Sequence, residues 1–223
     1  MRTSPIPLPQ SMTRTKRHRL SRERVASAAL EILDREGLER LSMRRVADAL
    51  GVGTMTLYGY VRSKDELLDA VIDAAVEEPA PVVPDGSWRD QLRQLVNRAR
   101  ATLIRHPALV KIRLQQPVLR PEALRFSELG LGILIDAGFD KAEAAQAFRL
   151  LFTYVFGFAA LSPEARVEDA RREAAAAIAA LSPEEYPRLT GAASEASHAM
   201  AGEEQFEYGL ERILDGLEAR LRA

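Results

Sequence analysis

Apolar residues recur every three or four positions along almost the whole of this chain, and they almost never alternate. That period lines one face of an α-helix and argues against β-strands. An all-α fold follows, built as a series of amphipathic helices. Residues 1–20 are the exception. Ser4-Pro5-Ile6-Pro7-Leu8-Pro9 cannot be helical, Arg14, Lys16, Arg17, His18 and Arg19 follow, and no acid precedes Glu23. This composition predicts a disordered basic arm.

Ser21 can cap a first helix with Val25, Ala29, Ile32 and Leu33 as its buried stripe, stopped by Gly37. Leu41-Ser42 opens a short second helix that buries Val46, Ala47 and Leu50 and stops at Gly51. A third is expected from about Thr54 to Val61, with Leu57 and Val61 inward. Ser63-Lys64-Asp65-Glu66 has the form of a capping box, in which hydroxyl and carboxylate accept from free amides. The helix it starts carries Leu67, Leu68, Val71, Ile72 and Ala75. Pro79, Pro81, Pro84 and Gly86 then break the chain and mark a hinge. Further helices are expected over about 87–105, 108–115, 121–137, 141–160, 164–181 and 203–222. Ser162-Pro163 and Ser182-Pro183 resemble helix starts, and the Ser/Ala/Gly stretch 190–202 predicts a mobile loop.

With no cysteine among 223 residues, the chain offers no disulfide framework, thiol nucleophile or cysteine-ligated zinc. No uncharged apolar run approaches the ~20 residues that span a bilayer, and the N-terminus lacks the apolar core of a secretory signal. A soluble cytoplasmic protein with no membrane partner is expected. The net charge of −1 hides an asymmetry: residues 1–64 carry thirteen Lys/Arg against six Asp/Glu, a balance of +7, and the remainder is at −8. A basic end on an acidic body suggests nucleic-acid binding by the N-terminal segment.

Residues 42–61 read SMRRVADALGVGTMTLYGYV. Small Ala47 lets two short helices cross closely, Gly51 suits a left-handed turn, and Leu57 locks the second helix down. A helix-turn-helix needs this spacing, and its second helix enters the major groove. Once Leu57 and Val61 are buried, that helix exposes Thr54, Met55, Thr56, Tyr58, Gly59 and Tyr60, with no charge from Gly51 through Val61. Such a surface suits hydrogen bonds to phosphates and apolar contacts with base edges. Arg44 and Arg45 flank it on one side. Lys64 flanks it on the other, at a helix start whose amides favour an anion.

Residues 21–77 resemble the DNA-binding domain of the TetR family of transcriptional repressors. The matching pieces are the first helix ending at Gly37, Leu41-Ser42-Met43-Arg44, Ala47-Asp48-Ala49-Leu50-Gly51-Val52, Thr56-Leu57-Tyr58 and Lys64-Asp65-Glu66-Leu67-Leu68. The body is similar, more loosely, to the C-terminal domain of the tetracycline-repressor branch from Gly86-Ser87-Trp88 through Ala137-Gly138-Phe139. The resemblance implies a three-helix helix-turn-helix domain over 21–66 and an effector-binding and dimerisation domain over 67–223. It implies that Tyr58 and Lys64 grip phosphates while Arg44, Thr54, Met55 and Tyr60 address base edges, with Thr56 on the same surface. Gly59 departs from the bulkier residues common at its place. A ligand-responsive repressor is expected: a homodimer on a palindromic double-stranded operator, released when a small organic effector favours a tilt of the 63–77 helix.

Two stripes in the body fit dimerisation. One is Phe206, Leu210, Ile213, Leu217 and Leu221, with Gly209 and Gly216 on its flank; the other is Ala144, Ala147, Leu151, Tyr154, Val155 and Phe158. The same stripes also fit a core within one chain. Inward-facing candidates for an effector pocket are Leu95, Ala99, Leu103, Arg113, Gln116, Phe126, Leu131, Phe148 and Phe152. Arg113 is a charge within an apolar run and fits either an anionic ligand group or a side chain reaching for water. In the tetracycline repressors, body histidines help hold a magnesium–drug complex. Arg113 falls where one would stand, and only His106 occurs between Trp88 and Pro187. An organic effector without metal or cofactor is therefore expected. No HExxH, GxSxG or P-loop suggests an enzyme, and Glu203, Glu204, Glu207 and Glu211 fit a solvated helix face. The alternative is a helical protein-interaction adaptor with a degenerate helix-turn-helix, which the +7 balance disfavours.

Overall fold

Serine hydroxyls set the starts of four helices. The Oγ atoms of Ser21, Ser42, Ser63 and Ser87 accept from the backbone N–H of Arg24, Arg45, Glu66 and Asp90 at 3.3, 3.1, 3.1 and 3.2 Å. Each bond satisfies an amide that lacks a partner within its helix. At Ser87 the box closes in full, because the Ser87 N–H donates back to Asp90 Oδ2 at 3.2 Å. At Ser63 it is displaced by one residue: Glu66 Oε2 accepts from the Arg62 N–H at 2.7 Å.

The protein is described by a computed structural model that covers residues 20–77, 85–115, 121–161 and 166–222. Twelve α-helices and no strand occur among the described residues. The basic arm, the prolines of the expected hinge, Gln116 and Ser162-Pro163 lie outside them. The first four helices are α1 (Arg22–Glu36), α2 (Met43–Leu50), α3 (Thr54–Leu57) and α4 (Lys64–Glu77). Then come α5 (Trp88–Arg105), α6 (Ala108–Gln115), α7 (Pro121–Asp136) and α8 (Lys141–Leu161). The last four are α9 (Val167–Ala179), α10 (Pro187–Gly191), α11 (Ala193–His198) and α12 (Glu203–Leu221).

Helices α1 and α4 pack along each other, with α2 against α1 and α3 against α2. Ile32, Leu33, Leu41, Val46, Ala47, Leu57, Val61 and Leu67 fill the space between them and are all but inaccessible. In the body, α5 lies on α7 and α8, and α12 packs on α8. Helices α9, α10 and α11 pack on one another. The head meets the body where α4 touches α5 and α7, and where α6 touches the turn at 38–40. Helix α4 thus belongs to both units, with α1 on one side and the body on the other.

Three expectations from the sequence are corrected. Regular helix in α3 ends at Leu57; residues 58–60 continue as turns, with Gly59 N–H bonding Thr56 O at 3.2 Å and Tyr60 N–H bonding Leu57 O at 2.9 Å. Gly59 has high backbone freedom and disfavours further helix there. The 190–202 stretch is not a loop: α10 and α11 occupy most of it, and α11 packs on α9. Ser182-Pro183 forms a turn, and the helix starts at Pro187 instead. Helix α8 is long and apolar enough to cross a membrane by length and composition alone, although Lys141, Glu143 and Arg149 interrupt its apolar sequence. It packs against α5, α7 and α12, where a bundle helix needs apolar residues on several faces.

Candidate nucleic-acid interface and effector cavity

The turn between α2 and α3 rests on Gly51, at φ 66° and ψ 34°. Val52 N–H reaches Ala47 O at 3.0 Å and Gly51 N–H reaches Asp48 O at 3.2 Å. This paired closure needs a left-handed residue after the helix, and a β-carbon there is strained. The turn aims α3 outward with Leu57 fully buried beneath it.

On its outer side the surface is apolar and open. Met55 is 82% exposed, Tyr58 42% and Tyr60 36%. Thr56 is exposed and Thr54 is half-buried at the start of α3. A methionine left so open is uncommon unless something covers it. Lys64 is exposed as the first residue of α4. The two flanking arginines divide: Arg44 is exposed, whereas Arg45 donates to both Glu36 oxygens, Nε to Oε2 at 3.0 Å and Nη2 to Oε1 at 2.5 Å. That bidentate pair ties α2 to the end of α1, and the Arg45 hydrogen bonds hold the Glu36 carboxyl below its ordinary range. The structure therefore brings Arg44, Met55, Thr56, Tyr58, Tyr60 and Lys64 to the surface of the head, with Thr54 partly covered.

The body holds a narrow apolar cavity. Leu92, Leu95, Val96 and Ala99 of α5 form one wall and Phe126 of α7 another. Phe148, Leu151, Phe152, Val155 and Phe156 of α8 complete it. About 10 Å³ remains free, roughly the room one water needs. Phe152 and Phe156 stack at 4.4 Å between centroids, and Phe148 tilts on Phe126 at 5.9 Å. The Arg113 guanidinium lies 5.4 Å from the centre of the Phe152 ring. Of the other expected pocket residues, Leu103 is buried and Leu131 half-buried, and neither is on this wall. Sequence reasoning passed over Leu92, Val96 and Phe156. Two signals could have found them: Phe156 extends the row 148, 152 by one more turn, and Leu92 and Val96 lie on the face of Leu95 and Ala99.

His106 does not face this cavity. It is buried, and its Nδ1 lies 2.8 Å from Asp34 Oδ2 on α1. Among the described residues the cavity wall is aliphatic and phenyl, with no oxygen or imidazole group.

The stripes assigned to dimerisation are used inside the chain. Ala144, Ala147, Leu151 and Val155 are buried, as are Phe206, Leu210 and Leu214 of α12, while Ile213, Leu217 and Leu221 pack half-buried against the same core. Tyr154 donates to Phe206 O at 2.7 Å and stacks on the Phe206 ring at 5.2 Å. Gly209 permits this approach, since a β-carbon there would stand 2.3 Å from the Tyr154 hydroxyl oxygen. Burial raises the Tyr154 phenol to about 12. Glu211 is not part of a solvated acidic face. It accepts from Arg89 and Arg93 at 2.6 Å each, and Arg89 also reaches Asp215 at 2.6 Å and Glu218 at 3.1 Å. The outward strip of α8 consists of Ala145, Gln146, Arg149, Leu150 and Thr153.

Comparison with known proteins places both halves. Residues 25–71 match the family described as bacterial regulatory proteins, tetR family, and residues 80–221 match the tetracyclin repressor-like C-terminal domain. The chain is 35% identical over 212 residues to the HTH-type transcriptional repressor DrrR1 of Streptomyces coeruleorubidus, covering 89% of this chain and 77% of that protein. It is 30% identical over 211 residues to the class D tetracycline repressor of Escherichia coli, covering 92% of each. Among solved structures, the TetR family protein ActR of Streptomyces coelicolor in complex with actinorhodin superposes with a TM-score of 0.76 at 30% identity, over 90% of this chain and 96% of that one. A helix-turn-helix head on a helical body, matched by family models over both segments, makes this chain a transcriptional regulator of the TetR family.

Proposed function

We propose that the protein is a ligand-responsive repressor that binds a palindromic operator as a homodimer and leaves it when a small organic effector occupies the body. The observation that carries this reading is the head surface. Met55, Tyr58 and Tyr60 stand open and uncharged while Leu57 and Val61 are fully buried behind them. Arg44 and Lys64 supply cations at its edges for phosphates. Similarity to a named repressor supports the direction of control.

A single head buries little DNA surface, so pairing is expected, with the two reading surfaces ~34–36 Å apart on successive major grooves. The outward strip of α8 supports this pairing: it carries Leu150, 49% exposed, beside small Ala145, and Leu161, 86% exposed, ends the helix. The solved relative in complex with actinorhodin supports a small-molecule effector, and the apolar cavity supports the body as its site. To move the population from 99:1 to 1:99, the effector must favour the released form by ~5.5 kcal/mol, which two sites can share.

The test is selection of bound fragments from random duplex DNA by the purified protein, followed by gel shift. Recovery of an inverted repeat, with affinity falling steeply as salt rises, supports the reading. Recovery of no palindromic site defeats it.

A further inference from the structure

We propose that the last turn of α1 is a connector that sets the reading helices from the body: Asp34 takes up the position of α5 through His106, and Glu36 passes it to α2 through Arg45. This rests on the reading of the head as the operator surface and of the body as the effector site, and it names positioning residues by which one answers the other.

The geometry of one helix turn comes first. Asp34 and Glu36 are two residues apart on α1. At about 100° per residue, such positions face opposite sides of a helix. Both sides are occupied. Asp34 Oδ2 lies 2.8 Å from His106 Nδ1. Glu36 accepts from Arg45 Nε at 3.0 Å and from Nη2 at 2.5 Å. A single turn of α1 therefore stands between a body residue and a residue of α2, with a carboxylate hydrogen bond on each flank.

The two ends are firmly seated. His106 caps the C-terminus of α5, and its backbone N–H reaches Thr102 O at 2.9 Å. Its ring is buried and Nε2 has no hydrogen-bond partner among the described residues, so Asp34 is the polar group that fixes the ring. Leu92, Leu95, Val96 and Ala99 line the cavity from the same helix. A change in the cavity that shifts α5 shifts His106 with it. At the other end Arg45 belongs to the first turn of α2, and its N–H is held by Ser42 Oγ at 3.1 Å. A bidentate fork resists rotation as well as separation. Beyond it the Gly51 turn joins α2 to α3, with Val52 N–H on Ala47 O at 3.0 Å. Between the two pairs, the turn at 38–40 touches α6, and Leu38 and Leu41 are buried. A displacement of the α5–α6 corner thus reaches the reading helices without passing through α4.

The experiment is a double-mutant cycle on the full chain. His106→Ala breaks the body side and Glu36→Ala breaks the α2 side. Two quantities are read well below the unfolding temperature. One is the ratio of affinity for the selected operator to affinity for random duplex. The other is hydrogen exchange of the amides of residues 43–57 against those of α8. Each single variant should lower the ratio at least threefold and speed exchange over 43–57 at least threefold, with α8 unchanged. The double variant should be no worse than the poorer single one, because a chain of contacts broken once loses nothing at a second break. Asp34→Asn, which keeps an acceptor, should recover most of the ratio lost in Asp34→Ala; this pair replaces His106→Ala where that variant does not fold. A His106→Ala protein that melts earlier yet keeps the parental ratio and exchange overturns the proposal and leaves a plain structural tie. Losses that multiply fully in the double variant overturn it too, since they show two independent contacts. Recovery of no operator defeats the DNA-binding reading instead, and exchange over 43–57 still decides the connector.

Discussion

His106 Nδ1 lies 2.8 Å from Asp34 Oδ2, which fastens the corner between α5 and α6 to the first helix of the DNA-binding head. The two residues are 72 positions apart, and the histidine side chain is only 7% exposed. Its Nε2 is buried with no hydrogen-bond partner among the described residues, so Asp34 is what satisfies this ring. Asp34→Ala should therefore leave a buried imidazole unpaired and lower stability by about 1–3 kcal/mol. Asp34→Asn, which keeps an acceptor, should lose less. Urea unfolding of the three proteins checks this, and equal midpoints would mean the contact contributes nothing.

Gly51→Ala places a β-carbon at φ 66°. Nothing else lies within 4 Å of that carbon, so the effect isolates backbone strain, about 1–2 kcal/mol. The expected outcome is a lower midpoint in thermal unfolding with a correctly folded head at low temperature. A variant as stable as the parent would show that the turn relaxes freely.

Gly209→Ala should be more damaging than its size suggests. The new methyl meets the Tyr154 oxygen at 2.3 Å, Cζ at 2.7 Å and Cε2 at 2.9 Å. Overpacking of this kind costs about 1–3 kcal/mol. Because ring carbons clash as well as the hydroxyl, Tyr154→Phe in the same chain should not rescue it. Restoration of parental stability in the double variant would contradict the packing described.

The Tyr154 phenol also sets a pH dependence. Burial raises it to about 12, against ~10 for a free tyrosine. A group raised on folding contributes stability that is fully present below the unfolded value and lost as pH climbs through the folded one. Stability should thus fall between about pH 10 and pH 12, and the fall should shrink in Tyr154→Phe. Denaturation midpoints across that range, with absorbance titration of the phenols, test the point. An unchanged profile in the variant would contradict it.

Much of this structure is legible in local sequence. Ser21, Ser42, Ser63 and Ser87 act over three residues, and the Ala47–Gly51–Leu57 spacing acts over ten, so short-range rules suffice. Phe148 and Phe152 are visible by helical period, and the exposure of Met55, Tyr58 and Tyr60 follows once Leu57 and Val61 are assigned inward. What escaped depends on distant partners. Nothing near His106 points to Asp34, and nothing near Glu211 points to Arg89 and Arg93 more than a hundred residues earlier. The stripes on α8 and α12 illustrate the same limit. Periodicity shows that Leu151 and Phe206 are buried but not by which chain, and both are buried by their own. Helices α10 and α11 escaped because their sequence is small and polar, and α11 is held by packing on α9.

The head surface is tested most directly by fluorescence anisotropy on the selected operator at fixed salt. Tyr58→Ala and Lys64→Ala are compared with Tyr186→Ala, an exposed tyrosine of the body. Each head variant should bind at least tenfold more weakly, a loss of about 1.4 kcal/mol or more. Lys64→Ala removes one phosphate contact from each of the two heads and should also reduce the slope of affinity against salt by about two, and the Tyr186 variant should match the parent. Parental affinity in both head variants would show that the duplex lies elsewhere.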